Sequence, residues 1–322
     1  MREFKELQDI IDIRNSKDDL VHSEYLDIVK YKNKEYPIIG ITIGTKNKNV
    51  PTFGLFGGVH GLERVGTHLA INFLNNLIAR LSWDKELRRE FQNFRIVSIP
   101  LINPGGMDHI ARSNPNGVDL MRNAPVDAEV ESAPLLSGHR ISSKLPWYRG
   151  EENKEMELEA RTLVDFVKEE MFQSSFSMAI DLHSGFGMKD RLWYPYAKTK
   201  EDFPHKKNIH QLLELLNRTL PHHVYTVEQQ SVSYTANGDL WDYLFDLNHQ
   251  NPNKKGHFIP WTLELGSWLW VKKNPMQVLS VLGMFNPIRQ HRFERVMRRH
   301  LLLFDFLIQA TKNHEAWLQE LN

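Results

Sequence analysis

Apolar runs of strand length and one long helical pattern follow one another through the first third of the chain. Residues 26–33 and 36–44 hold two apolar runs around a polar turn, and residues 51–58 hold a third that ends in two glycines. Apolar side chains then recur at helical spacing at Leu62, Val65, Leu69, Phe73, Leu77 and Leu81. This order predicts strands followed by a helix, as in α/β proteins.

Further elements are predicted later in the chain. Residues 94–102 form an apolar run that ends at an Asn-Pro-Gly-Gly turn, and the runs at 177–183 and 257–265 have the same character. Residues 155–171 show helical periodicity. Residues 124–150 are rich in Pro, Ser and Gly and show no period, so we predict a long surface loop there.

The composition indicates the class of protein but does not determine the number of domains. Of the 322 residues, 41% are hydrophobic and 25% are charged, as in soluble globular proteins. The 40 basic and 40 acidic residues give no electrostatic reason to expect a nucleic acid or a membrane as partner. The absence of cysteine excludes disulfides, thiolate catalysis and cysteine-ligated zinc. Length alone allows one large domain or two smaller ones.

The two ends of the chain predict a polar extension and a buried helix. Residues 1–20 lack the uninterrupted apolar segment of a signal peptide, so we expect an N-terminal extension and a cytoplasmic protein. The apolar run at 301–308 is interrupted by Asp305 and is far too short to cross a bilayer. We interpret residues 291–322 as a C-terminal helix that packs on the domain with its arginines in solvent.

Three predicted strands end in polar residues. Burial of polar side chains at the end of an apolar strand costs free energy unless the side chains bind a partner. His60 and Glu63 follow the run at 51–58, whereas His183 and Glu264 end two later runs. In open α/β sheets the ligand crevice lies beyond the carboxyl ends of the strands, so these side chains can converge. Two imidazoles and a carboxylate are the ligands of a catalytic zinc. We therefore predict that His60, Glu63 and His183 bind a metal and that Glu264 is a general base.

Each of these residues also has an ordinary explanation. An acid such as Glu63 in the first turn of a helix stabilises the helix dipole, and His60 after two glycines fits a plain turn. His183 fits a core residue, and Glu264 fits an acid paired with a nearby lysine. Signatures of other hydrolases are missing from the sequence, since it has no His-Glu-x-x-His and no Gly-x-Ser-x-Gly.

A longer set of motifs adds a family resemblance to these single residues. Residues 103–123, NPGGMDHIARSNPNGVDLMRN, combine an Asn-Pro-x-Gly turn, an arginine and a GVDLxRN motif. With the His-x-x-Glu pair, the later histidine, a tyrosine ahead of a glycine and the Thr-x-Glu-Leu strand, they resemble the zinc carboxypeptidase family. The motifs occur in the family's order from about Tyr25 to Leu265.

The resemblance implies a fold, a metal and a set of roles. The fold would be one α/β domain over residues 1–322, with a central mixed, mostly parallel twisted sheet flanked by helices, and the cofactor one Zn²⁺ ion. The residues that match the metal site are His60, Glu63 and His183 as ligands and Asp119 as the acid that orients the first histidine. Those that match the catalytic machinery are Arg112, which polarises the scissile carbonyl, Arg122, which holds the substrate carboxylate, Tyr234, which closes over the substrate, and Glu264, the general base.

Two features of the resemblance concern specificity. Met121 stands where the family usually has an asparagine that donates to the substrate carboxylate, so a hydrogen bond of about 1 kcal/mol is lost. The position at the pocket floor falls on Trp241, with Asp239 close by in sequence. We expect the indole to shorten the pocket and Asp239 to accept an amine from the substrate.

The expected function is zinc-dependent hydrolysis of an amide or peptide bond next to a carboxylate-bearing residue. The substrate would be a peptide or a small amino-acid-derived molecule. Three alternatives stay open: an N-acyl amino acid deacylase like aspartoacylase and succinylglutamate desuccinylase, a cell-wall peptide amidase, and a metal-binding protein without catalysis. An intact Glu264 and Arg112 argue against the last of these.

Overall fold

A computed structural model describes residues 4–130 and 135–318 of the chain. In this part, eight strands form one sheet. The strands are β1 (Val21–Tyr31), β2 (Lys34–Gly44), β3 (Thr52–Gly57), β4 (Arg95–Ile99), β5 (Phe176–Ser184), β6 (Arg191–Tyr194), β7 (Thr226–Gln229) and β8 (His257–Leu265). Their order across the sheet is β1-β2-β4-β3-β5-β8-β6-β7.

Twelve helices in the same residues surround the sheet. They are α1 (Lys5–Arg14), α2 (Arg64–Leu81), α3 (Lys85–Glu90), α4 (Pro104–Asp108), α5 (Leu158–Met171), α6 (Lys206–Thr219), α7 (Gln230–Ser233), α8 (Leu240–His249), α9 (Trp268–Lys273), α10 (Val281–Phe285), α11 (Gln290–Arg299) and α12 (Leu301–Lys312). Short 3-10 turns lie at Leu120–Arg122, Pro275–Leu279 and His314–Ala316.

The central strands run parallel, whereas the edges are mixed. β4, β3, β5 and β8 form a parallel block. At one edge β2 pairs antiparallel with β4, and β1 pairs antiparallel with β2. At the other edge β6 runs antiparallel to β8 and parallel to β7. The predicted mixed, mostly parallel sheet of an α/β protein is confirmed.

The long apolar runs explain why this block lies at the centre. β3 and β5 are buried at every position, and β8 is buried at every position after its first residue. Such strands need cover on both faces, which helices provide in α/β proteins. Helices α2 and α12 cover one face through a core that includes Leu69 and Leu307. Helices α5 and α8 cover the other face through Leu163 and Leu244.

The two ends of the chain fold differently from the prediction. The expected single helix at 291–322 is two helices, α11 and α12, separated at His300, and residues 319–322 lie outside the described part. The break allows α11 to pack on α2 while α12 packs on β3 and β5. The expected extension at 1–20 contains α1, which packs on α2. No helix in the described residues is long and apolar enough to span a membrane.

Candidate active site

Three neighbouring parallel strands bring the predicted polar residues to one place. β3, β5 and β8 lie side by side, and each has one of the polar motifs at or just beyond its carboxyl end. His183 of β5 and Glu264 of β8 are register partners, so their side chains leave the sheet on the same face. His60 and Glu63 lie in the turn between β3 and α2.

The turn that carries His60 and Glu63 is held by its glycines. Gly58 has a φ of +69°, in a region that residues with a Cβ rarely adopt. A Cβ at Gly61 would overlap the backbone of α4, which lies against the turn. The glycines of the GGVHG motif therefore set the backbone path that positions the two side chains.

His60, Glu63 and His183 form a cluster that can hold a metal ion. One ligand atom from each side chain lies within 4.8 Å of the others, and all three side chains are buried. The Nδ1 atom of His60 is buried without a hydrogen-bond partner, and His183 Nδ1 lies 3.2 Å from Glu63 Oε2. Two imidazoles and one carboxylate, with a buried nitrogen left unsatisfied, form a donor set that fits Zn²⁺.

The second ring nitrogen of His183 is held by a buried carboxylate. His183 Nε2 lies 2.7 Å from Asp181 Oδ2, and the indole Nε1 of Trp241 donates to the same oxygen at 2.9 Å. Burial by itself lowers the pKa of His183, but Asp181 and Glu63 outweigh burial and raise the pKa well above its ordinary value. A carboxylate behind a ligand histidine fixes the ring and strengthens it as a ligand.

Arg112 connects the first two ligands to Asp119. Its Nε donates to Asp119 Oδ2 at 2.9 Å, and its Nη1 donates to Glu63 Oε1 at 3.0 Å. Its Nη2 lies 2.8 Å from His60 Nε2. Asp119 Oδ1 is 3.7 Å from His60 Nδ1, which is too long for a hydrogen bond. Asp119 therefore lies beside His60, but its carboxylate accepts hydrogen bonds from Arg112 and from the backbone N–H of Met121.

Glu264 is buried close to the ligands without belonging to their cluster. Its Oε1 accepts a hydrogen bond from the backbone N–H of Phe186 at 2.9 Å. Burial raises the pKa of Glu264 to about 8, and the charge of Glu63 adds to this effect. A divalent cation bound by Glu63 would oppose the shift, because a cation favours the charged carboxylate. Glu264 is thus a carboxyl group that can exchange a proton near neutral pH.

A cavity of about 440 Å³ opens onto these residues and onto Arg122. Arg122 is 4% exposed. Its guanidinium donates to Met121 O at 3.3 Å and to the Tyr234 hydroxyl at 3.5 Å, while its Nε is buried without a partner. Met121 and Tyr234 line the same cavity. The cavity is therefore lined by a buried cation that has one unpaired N–H group.

Aromatic side chains form another wall of the cavity. The ring centroid of Phe186 lies 5.5 Å from that of Trp193 and 5.8 Å from those of Tyr234 and Trp268. All four rings line the cavity. This wall favours substrate groups with an apolar surface.

The predicted surface loop at 124–150 borders the cavity. Leu136, Ser137 and Trp147 of this loop line it. Residues 131–134 lie outside the described part. In its described residues the loop thus contributes one side of the cavity.

Trp241 was expected at the pocket floor, with Asp239 close by. Neither residue is among the described residues that line the cavity. Trp241 is buried in the core, where its ring centroid is 5.3 Å from that of Phe56 and its N–H points at Asp181. Asp239 caps α8 by accepting hydrogen bonds from the backbone N–H groups of Trp241 and Asp242. The polar atoms of both side chains bond within the protein, and direct contacts of these residues with a substrate stay a prediction.

Asn286 contributes to the site without any motif that marks it in the sequence. Its Oδ1 accepts a hydrogen bond from Val65 N at 2.9 Å, and its Nδ2 donates to Leu62 O at 2.7 Å. These two backbone groups lie on either side of Glu63 at the start of α2. Asn286 therefore supports the segment that carries a metal ligand, although no motif surrounds it in the sequence.

Known sequences resemble this chain around the same residues. Residues 22–266 match the sequence profile described as zinc carboxypeptidase. Human carboxypeptidase D is 33% identical over an alignment of 91 positions that covers 26% of this chain and 7% of that protein. Mouse carboxypeptidase M is 27% identical over an alignment of 106 positions that covers 30% of this chain and 24% of that protein. The chain thus matches a minor part of the length of these relatives.

Solved structures share the fold. Bovine thrombin-activatable fibrinolysis inhibitor, in complex with tick carboxypeptidase inhibitor, superposes with a TM-score of 0.68 at 15% identity and covers 97% of this chain and 98% of its own. Carboxypeptidase A from Helicoverpa armigera superposes with a TM-score of 0.57 at 17% identity and covers 93% of this chain and 71% of its own. At these identities the likeness concerns the fold.

Proposed function

The chain belongs to the zinc carboxypeptidase family, and on this premise we propose that it is a zinc-dependent peptidase that cleaves an amide bond next to a residue with a free carboxylate. The substrate is a peptide or a small molecule derived from an amino acid. One observation carries the proposal. A single cavity joins the His-Glu-His cluster, the carboxyl group of Glu264 and the buried guanidinium of Arg122.

His60, Glu63 and His183 are the residues that would hold the metal. Zn²⁺ held by these three residues would supply a water molecule of lowered pKa and a polarised carbonyl group. Asp181 fixes the ring of His183 from behind, and Trp241 in turn fixes Asp181. This chain of hydrogen bonds keeps the ligand in place when the substrate enters.

Glu264 is the proton carrier of the proposed reaction. The backbone N–H of Phe186 holds its Oε1, which leaves Oε2 for the proton. A carboxylate in this position takes a proton from the attacking water and returns it to the leaving amine. Burial raises the pKa of Glu264 above that of an exposed glutamate and so makes it a stronger base, whereas a bound Zn²⁺ would oppose this shift.

Two arginines supply positive charge at two places in the cavity. Arg112 lies against the ligand cluster and donates to the carbonyl oxygen as negative charge develops there. Arg122 lines the cavity and binds the substrate carboxylate through a two-pronged, charge-assisted pair. Tyr234, which contacts Arg122, closes over the bound substrate.

Met121 favours a second candidate, the removal of acyl groups from N-acyl amino acids. Its thioether lines the cavity next to Arg122 and donates no hydrogen bond to a carboxylate. Binding of a peptide's terminal carboxylate then depends on Arg122 without the usual asparagine. This departure is the one observation that favours the second candidate over the first.

A substrate screen separates the two candidates. The zinc-loaded protein is incubated with C-terminally free peptides, with the same peptides amidated at the C-terminus, with muramyl peptide fragments and with N-acyl amino acids. We expect cleavage of the free peptides, loss of cleavage after chelation, and much slower cleavage of the amidated peptides. Cleavage confined to N-acyl amino acids would assign the chain to the deacylases. Failure of the zinc-loaded protein to cleave any of these substrates would contradict the proposal.

A further inference from the structure

Residues 268–288 expose many large apolar side chains. The exposed ones are Trp268, Met276, Val278, Leu279, Val281, Met284 and Ile288. Met276 is 70% exposed and Leu279 is 77% exposed. Helices α9 and α10 and the 3-10 turn between them pack on one another, so these side chains share one small structural unit. We call residues 268–288 the apolar platform.

The apolar platform is fixed beside the cavity. Trp268 and Phe285 belong to it and also line the cavity. Trp268 Nε1 donates to the backbone oxygen of Gly185 at 2.9 Å, and Asn286 anchors the other end at the start of α2. The platform begins just beyond residues 22–266, which match the family profile. Its surface is therefore a feature of this chain outside that match.

The charged residues between positions 265 and 293 of the sequence are all basic. Residues 265–293 contain no aspartate or glutamate, but they contain Lys272, Lys273, Arg289 and Arg292. The first three are exposed, whereas Arg292 donates to the backbone oxygens of Trp270 and Lys273. The whole chain has equal numbers of acidic and basic residues, and for this reason no membrane partner was expected. Residues 265–293 nevertheless have a local excess of cations.

We propose that the apolar platform docks on an anionic lipid surface. Exposed apolar side chains next to lysines and arginines bind at the interface between lipid headgroups and acyl chains, and each cation near anionic headgroups adds attraction. Side chains as exposed as those of Met276 and Leu279 protrude, whereas peptide partners are usually bound in grooves. Two copies of the platform facing each other would bring like charges together. An anionic lipid surface is the partner that fits both the apolar and the basic side chains.

Vesicle sedimentation of the full chain tests this proposal. The probes are vesicles of phosphatidylcholine alone and vesicles of phosphatidylcholine with phosphatidylglycerol in equal parts. We expect binding to the anionic vesicles that weakens as salt is added. Leu279→Asp should bind these vesicles about tenfold more weakly, because an inserted apolar group is replaced by a charge that the headgroups repel. The double variant Lys272→Gln/Lys273→Gln should also lose affinity for the anionic vesicles.

Trp83→Asp is the matched control for Leu279→Asp. Trp83 is 69% exposed and follows the end of α2 that points away from the cavity. This variant should bind the vesicles like the unchanged protein, and circular dichroism and thermal unfolding check that every variant folds. Three results would overturn the proposal: no binding to anionic vesicles, equal losses in Leu279→Asp and Trp83→Asp, or a dimer in solution that Leu279→Asp abolishes. The last result would make a second copy the occupant of the platform.

Discussion

His183 and Glu264 stand side by side as register partners on the parallel strands β5 and β8. The sheet itself therefore sets the spacing between a candidate metal ligand and the proposed general base. Because both strands are buried along nearly their whole length, this spacing does not depend on a loop. Groups that act on one reacting centre benefit from such rigid placement.

Trp241 should strengthen the metal site from behind His183. Trp241→Phe removes the N–H that donates to Asp181 Oδ2 and keeps an aromatic ring in the core. Loss of such an outer partner lowers metal affinity by about tenfold to a hundredfold, and a chelating dye in competition for zinc measures it. Trp261→Phe is the control, because that buried indole N–H has no hydrogen-bond partner. Equal losses of zinc affinity in both variants would contradict the role of Trp241.

Met121 should limit the binding of a terminal carboxylate. Met121→Asn adds a donor beside Arg122, and one additional hydrogen bond is worth about 1 kcal/mol, or about fivefold in kcat/KM. We expect this gain with C-terminally free peptides. The same peptides with an amidated C-terminus serve as the control and should gain little. A gain of the same size with both sets of peptides would show that the new side chain does not act on the carboxylate.

Asn286 should hold the start of α2 in the position that metal binding requires. Asn286→Ala leaves Leu62 O and Val65 N without their partner, and buried groups left unpaired cost about 1–3 kcal/mol each. We expect a lower free energy of unfolding in urea together with weaker zinc binding. Asn313→Ala is the control, because Asn313 bonds Gln309 O in an exposed helix end. Unchanged zinc affinity in Asn286→Ala would limit Asn286 to a stabilising role.

The sequence could predict the metal cluster because the strands that position its residues have strong local hydrophobic patterns. β3, β5 and β8 are long apolar runs, and His183 and Glu264 each follow directly from such a run. Asp181 could also have been predicted from the sequence, because it precedes His183 by two positions and so lies on the same face of the strand. The short strands β6 and β7 were not predicted, since four residues each give too little periodicity.

Contacts between segments that lie far apart in the sequence could not be predicted. Asn286 reaches α2 from far along the chain, and nothing in its surrounding residues marks that contact. Trp241 could be placed only by resemblance, whereas the structure turns its indole towards Asp181. The break at His300 could not be predicted for the same reason, because it depends on the packing of α11 and α12 on different parts of the fold.

A buried histidine cluster should make the protein less stable in acid. The ring centroid of His205 lies 5.3 Å from that of His249 and 5.0 Å from that of His257. Burial, helped by these two neighbours, lowers the pKa of His205 to about 3. The unfolded chain binds this proton near pH 6.5, so the stability is complete above about pH 6.5 and is lost as the pH falls towards 3.

Urea unfolding at about pH 7 and about pH 5 measures this effect, which amounts to about 1.4 kcal/mol per pH unit for each such histidine. His205→Asn cannot take up the proton, so its free energy of unfolding should depend less on pH. His291→Asn, at an exposed position, is the control and should keep the dependence of the unchanged protein. An identical pH dependence in all three proteins would exclude His205 as the source.

We propose that His60, Glu63 and His183 bind zinc, whereas Glu264 is not a ligand and moves the protons. The most direct test is the turnover of a C-terminally free peptide by the zinc-loaded Glu264→Gln variant, with its zinc content measured on the same sample. The amide keeps the shape of the side chain but cannot accept the proton, so we predict bound zinc and turnover reduced by about a hundredfold to ten-thousandfold. Turnover close to that of the unchanged protein, with zinc still bound, would show that Glu264 is not the proton carrier.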